Sequence, residues 1–298
     1  YWGTFIAMAP WRAYLNYGDN SLMVKHYEVM KHWIDYLDAH TSDCLLQSWP
    51  DSDRHTWFLG DWLPPKGIDA TDPNSVGVVV NCAVSEFFGT LSKIAARLGK
   101  ADEAKTFSAR RDNINRLIHS TWYNPADSTY GSAAPVDMAY PLLAGAVPPE
   151  VREAVNAKLV SLSKDKYRSH IAVGLVGVPI FTQWAVDNRE CDLMYSILKQ
   201  RDYPGYLYML ESGGTATWES WEGRRSRIHN CYNGIGTWFY QALGGLLPDE
   251  DNPAYRHITI APQFPQGLEW VKVEKGTPYG KVGVEIQTMK EYTEGEWH

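Results

Sequence analysis

The sequence predicts a mainly α-helical chain that ends in a short antiparallel β segment. Apolar residues recur at helical spacing from about residue 4 to residue 247, and two long helical stretches meet at Gly99. From residue 255 onward apolar and polar residues alternate with period two instead.

The opening WGTFIAMAPW places Trp2 just before a helix, where its ring could serve as a platform, and Trp11 within that helix as a core residue. SLMVKHYEVMKHWIDYL sets Leu22, Tyr27, Met30, Trp33, Ile34 and Leu37 near 3.6-residue spacing, with Asp19 and Ser21 as capping residues. VGVVVNCAVSEFFGTLSKIAARLG and DEAKTFSARRDNINRLIHSTWY follow as a two-helix hairpin turned at Gly99. Further helices are predicted at 148–163, 175–187, 190–200 and 230–245. Helix pairs joined alternately by short turns and long aromatic loops suggest a helical toroid with a site at its concave end, rather than a fixed-period solenoid. The Pro-rich stretch PDEDNPAYRHITIAP divides a helical part, 1–248, from a β part, 255–298, with turns expected at Lys275–Gly276 and Tyr279–Gly280.

Composition narrows the function. A net charge of −7, with Lys and Arg scattered, lacks the basic stripe that nucleic acid requires, so no nucleic-acid partner is expected. No continuous apolar run reaches the roughly 18–20 residues of a membrane-spanning helix, so none is expected. Thirteen tryptophans and 18 tyrosines supply flat rings with polar edges, which suit the CH-rich faces of sugars. Four well-separated cysteines form no CxxC pair, so buried free thiols are expected. No metal-ligand spacing or nucleotide, serine-hydrolase or zincin fingerprint occurs; neither metal nor cofactor is predicted. Carboxylate chemistry is what the sequence leaves.

Within TATWESWE, Glu219 stands between Trp218 and Trp221. Extended geometry would send Thr217, Glu219 and Trp221 to one side and Trp218 and Ser220 to the other. Trp221 thereby joins Glu219 as a candidate for the site, and flanking rings would desolvate the carboxylate for acid or base work. The alternative is a structural ion pair with Arg224, Arg225 or Arg227. His229, ten residues on, falls where a helix is predicted to begin and could serve a substrate hydroxyl or only the local backbone. In WFLGDWLPP, Asp61 could hold sugar hydroxyls while Trp62 stacks beneath a ring, or the pair could be a turn Asp beside a packed Trp.

These segments together resemble bacterial α-L-rhamnosidases of glycoside hydrolase family 78. TATWESWEGRRSRIHNCYNGIGTWFY is similar to the family's T-x-W-E-x-W segment with its following histidine and helix. WGTFIAMAPWRAYLNYGDN resembles its W-G-D-A…P-W…Y-G-D segment, and FLGDWLPP its G-D-W-x-x-P loop, in the family's order along the chain. The resemblance implies an incomplete (α/α)6 barrel followed by a partial antiparallel β-sandwich, acting on terminal α-L-rhamnosyl groups with inversion. It assigns Glu219 as general base, His229 as a rhamnose contact, Trp2 and Trp62 as ring-lining residues, and Asp61 as their neighbour in the same loop. The implied partner is a rhamnose-containing oligosaccharide, polysaccharide or glycoside. Thr4 stands where the family has Asp after W-G. The family's general acid lies in a D-E-R-x-G-W-x-G-D stretch that nothing in this sequence matches, so the chain is expected to be a fragment beginning partway through the barrel and, alone, inactive. An α-L-fucosidase on the same scaffold and a non-catalytic carbohydrate-binding protein are the competing readings.

Overall fold

The computed structural model describes residues 1–48 and 58–288. A 3-10 turn at Trp2–Thr4 leads into α1 (Phe5–Tyr17), ended by Gly18 in the left-handed conformation, and α2 (Ser21–Ala39) follows. A two-residue ladder pairs β1 (Thr41–Ser42) with β2 (Leu45–Leu46). Next come α3 (Pro73–Arg97) and α4 (Ala101–Trp122), then β3 (Tyr123–Asn124) paired with β4 (Thr129–Tyr130). The helical part continues through α5 (Pro135–Ala144), α6 (Pro149–Ser161), α7 (Gly177–Asp187), α8 (Cys191–Leu198) and α9 (Tyr206–Glu211). A π-helical turn at Trp238–Leu243 closes it.

The α3–α4 hairpin is the centre of the core. Asp72 caps α3 by accepting from Asn74 N at 2.8 Å, and Pro73 occupies the first helical position, where its missing N–H costs nothing. Nearly every side chain from Val76 to Leu91 is buried, because α4, α5 and α1 cover α3 from different sides. Ser85 donates to Asn115 Oδ1 at 2.5 Å and Asn115 to the Ala144 carbonyl at 2.8 Å, which ties α3, α4 and the end of α5 together inside the core. α3 is long and apolar enough to cross a bilayer by length and composition, but 83% of its apolar window is buried inside the protein, as in a core helix.

Most of the predicted helices form, with differences that have local causes. α2 buries Met23, Tyr27, Met30 and Leu37, so Met23 rather than Leu22 starts its inner stripe, and Leu22 is exposed. α5 and α9 were not foreseen: α5 is flanked by Pro135 and Gly145 and contains Pro141, all of which read as loop signals. The helix predicted over 230–245 forms over 233–243, starting as a 3-10 turn at Asn233–Ile235 and passing into a π-helical turn at Trp238–Leu243, with Gly244 and Gly245 just beyond its end. Cys82, Cys191 and Cys231 are buried free thiols, but Cys44 is exposed because it sits in the β1–β2 turn at φ 68°.

The C-terminal segment is antiparallel as expected. β5 (Leu246–Leu247) pairs with β6 (Thr259–Ile260), and β7 (Trp270–Thr277) with β8 (Gly280–Gln287). Lys275 and Gly276 lie inside β7, opposite Val282 and Lys281, so the turn expected there is absent and the chain reverses only between Thr277 and Gly280. Val271 and Val273 alternate inward from β7 against the Trp238–Leu243 turn. Residues 289–298 of the predicted β part lie outside the described residues.

Candidate active site

Five distant segments bring side chains to one cavity of about 540 Å³, within the size range of small-ligand sites. Trp2 comes from the first turn, Trp62 and Leu59 from the loop before α3, Leu175 from the approach to α7, and His229 from the loop after α9. Trp33 and Tyr36, one turn apart on α2 and stacked at 4.8 Å, add a second aromatic wall. Gly3 permits this arrangement, since a Cβ there would run into the Trp33 ring. Trp2 remains 45% exposed, and a large ring left open at a cavity is available to a ligand face.

His229 is held by its backbone, not its ring. Its N–H donates to the Thr217 carbonyl at 2.9 Å, and Thr217 Oγ1 donates back to the His229 carbonyl at 2.5 Å. Its Nδ1 and Trp33 Nε1 are buried and find no hydrogen-bond partner among the described residues.

Glu219 lies on the same loop. Its N–H donates to the Ser226 carbonyl at 2.8 Å, so residues 217–229 fold back as a narrow hairpin with its tip at Ser220–Gly223. Glu219 Oε1 is 3.5 Å from Arg225 Nη1, with the two side chains 23% and 50% exposed. The Arg225 guanidinium is 5.4 Å from the Trp62 ring centroid, so the ion pair at Glu219 and the platform at Trp62 share one cation. A partly exposed pair of this length contributes about 0–1 kcal/mol, and Glu219 Oε2 also accepts from Ser226 N at 3.4 Å.

Two expectations, for Trp221 on this loop and for Asp61 on the loop before α3, are corrected. Trp218 and Ser220 do point inward opposite Thr217 and Glu219, but Trp221 also points inward and is fully buried. The turn closed by Gly223 N to the Ser220 carbonyl at 3.0 Å reverses the alternation before Trp221. Trp221 therefore cannot touch a sugar; it stacks on Tyr232 at 4.0 Å and donates Nε1–H to the Val173 carbonyl at 2.9 Å. Asp61 is likewise buried, and its oxygens accept from Gly174 N at 2.6 Å and Gly177 N at 2.8 Å. Buried in this way and absent from the wall of the aromatic cavity, Asp61 presents no oxygen to a sugar there. Burial pushes the Asp61 carboxyl up to about 7 against the lowering effect of those donors, with the charge of Asp137 adding to the rise.

The charges of Glu219 and Asp61 both reach Cys231. Burial first, and these carboxylates second, push its thiol up to about 12, which leaves it a thiol at neutral pH. Sequence reading missed Trp33, Tyr36 and Leu175 as cavity residues, because their roles depend on contacts between segments far apart in the chain. It also missed a larger cavity of about 690 Å³ that shares Tyr1 with the first and is lined by Arg12, Gln183 and Glu86. Burial raises the Glu86 carboxyl, and Tyr140 donates to it at 2.8 Å. None of the predicted site residues lines that cavity, so the smaller aromatic one is the better candidate.

Glu219 does not line this cavity itself; paired helices around a tryptophan-lined cavity are the build of the six-hairpin glycosidases. The chain belongs to the bacterial α-L-rhamnosidases among them: residues 1–243 match the bacterial alpha-L-rhamnosidase 6 hairpin glycosidase domain, and residues 245–292 the corresponding C-terminal domain. An alpha-L-rhamnosidase of Formosa agariphila is 26% identical over 298 residues, covering 94% of this chain and 31% of its own length. The structure of the alpha-L-rhamnosidase from Dictyoglumus thermophilum matches with a TM-score of 0.87 at 25% identity, over 97% of this chain and 32% of that one. The Streptomyces avermitilis alpha-L-rhamnosidase, solved with L-rhamnose, shares the fold at a TM-score of 0.84 and 22% identity, over 96% of this chain and 27% of that one. The chain thus spans less than a third of the length of these relatives.

Proposed function

We propose that this chain provides the general base and much of the sugar-binding surface of an exo-acting α-L-rhamnosidase that works with inversion. The observation that carries the reading is the convergence of Trp2, Trp62 and His229 on one cavity, with Glu219 on the same hairpin as His229 and linked to Trp62 through Arg225. Aromatic faces take the CH-rich side of a terminal rhamnose, with His229 on the wall of the same cavity. Glu219 removes a proton from water as the water attacks the anomeric carbon. A second carboxyl group protonates the departing oxygen from the opposite face, about 6.5–9.5 Å from the base.

That acid is not Asp61. Its carboxyl titrates in a suitable range at about 7, yet both oxygens are buried against backbone N–H groups and reach no cavity. No segment of this sequence resembles the family's acid motif, so the acid comes from elsewhere in the complete enzyme. The substrates are rhamnose-terminated oligosaccharides, polysaccharides or glycosides.

The test is product analysis with the complete natural chain that carries this sequence. Aryl α-L-rhamnoside should be cleaved and aryl α-L-fucoside spared, and proton NMR should show β-L-rhamnose as the first-formed anomer. Initial release of α-L-rhamnose would rule out inversion, and preference for the fucoside would rule out the substrate assignment.

A further inference from the structure

We infer that Asp61 is a positioning residue, the buried anchor that holds the Trp62 platform against the approach to α7 and in register with the loop that carries Glu219. The inference rests on the rhamnosidase reading of the site and adds to it a residue that never meets the sugar.

The contacts form a closed circuit. Asp61 accepts from Gly174 N and Gly177 N, and the next residue, Trp62, accepts at its carbonyl from Leu175 N at 2.7 Å. The clasp fixes Trp62 and Leu175, both of which line the aromatic cavity, relative to one another. From Val173 the circuit continues through its carbonyl to Trp221 Nε1, then through the Trp221–Tyr232 stack. The Tyr232 hydroxyl lies 2.9 Å from the Leu63 carbonyl and 3.3 Å from the Glu219 carbonyl, which returns the circuit to the platform loop and joins it to the candidate base. Trp221 and Asp61, both expected at the sugar, serve instead as the frame around it.

Packing alone does not account for Asp61. A buried carboxylate with no cation beside it is costly, and among the described residues no Lys or Arg pairs with it. An apolar residue would fill the space but leave the N–H groups of Gly174 and Gly177 without acceptors. The backbone of 174–177 is also built to receive it: a Cβ on Gly177 would come within 2.6 Å of Asp61 Oδ2, and one on Gly174 would meet the Trp62 carbonyl. The approach is close enough that both positions require glycine.

Steady-state kinetics of the complete enzyme on an aryl α-L-rhamnoside, with circular dichroism to confirm folding, separates positioning from stability. Asp61→Asn presents an amide N–H where an acceptor is needed, and should raise KM about tenfold or more with a smaller change in kcat, as displacement of a binding surface does. Tyr232→Phe keeps the stack on Trp221 but deletes the hydroxyl that joins the two loops, and should change kcat/KM in the same direction. Asp137→Asn, a comparably buried carboxylate outside the cavity, should leave KM and kcat at wild-type values. Wild-type KM in folded Asp61→Asn, or an equal rise in Asp137→Asn, would overturn the inference. Should the wild type fail to cleave rhamnosides, the functional reading fails on its own. L-rhamnose affinity, followed by tryptophan fluorescence, then gives the same three-variant comparison: about tenfold weaker binding in Asp61→Asn, weaker binding in Tyr232→Phe and wild-type binding in Asp137→Asn support the anchor, and equal affinities refute it.

Discussion

Replacing Asp137 by Asn should remove a pH dependence from the stability of the fold. Asp137 is buried at the start of α5, where Oδ1 accepts from the Ser75 hydroxyl at 2.7 Å and Oδ2 from Ser132 N and Oγ at 2.9 and 2.8 Å. Burial pushes its carboxyl from 3.8 up to about 6; the three donors lower it, and the charge of Asp72 raises it slightly. Between about pH 4 and 6 the folded chain therefore keeps a proton that the unfolded chain has released. Stability from this group is complete below about pH 4 and is lost as pH rises through 6, with a slope of at most about 1.4 kcal/mol per pH unit. An asparagine fits the same pocket, because the serine hydroxyls can rotate to accept from its amide while its oxygen keeps the Ser132 N–H. Urea unfolding at several pH values from 4.5 to 7.5 should show the wild-type advantage over Asp137→Asn shrinking by on the order of 1–3 kcal/mol across that range. Asp61, raised by the same cause and partly by Asp137 itself, moves in the same direction. Two stability curves that stay parallel across this range would refute the reasoning.

Gly174→Ala should destabilise the chain by about 1–3 kcal/mol in urea titration, because its Cβ would meet backbone atoms of Trp62 and Pro64 that cannot rotate away. Trp221→Ala should cost about 3–5 kcal/mol, since it empties a fully buried site and leaves the Val173 carbonyl unpaired; a Cm within error of wild type would contradict its place in the core.

The helices were legible where apolar spacing alone decides them, as in α2, α3 and α4, and the β7–β8 hairpin was legible from its alternation. Proline misled at one element: α5 forms despite Pro141, while the expected helix at 230–245 forms over 233–243. At the site, Trp2, Trp62 and His229 were found from local motifs, and all three line the cavity. Asp61 and Trp221 were misjudged for a common physical reason. Their neighbours, Gly174, Gly177 and Val173, are 48 to 116 residues away in sequence, so nothing local to either residue signals burial. Arg225 was foreseen as one of three partners for Glu219, but not as the guanidinium over Trp62.

The central claim, that Glu219 is the base for rhamnoside hydrolysis, is tested most directly by Glu219→Gln in the complete enzyme. The substitution keeps the side chain's size and leaves the backbone bonds to Ser226 and Tyr232 in place, so the circular dichroism spectrum should not change. Hydrolysis of an aryl α-L-rhamnoside should fall by about 10²–10⁴-fold or more, the usual loss for a missing general base. Turnover near the wild-type rate in the folded variant would contradict the account.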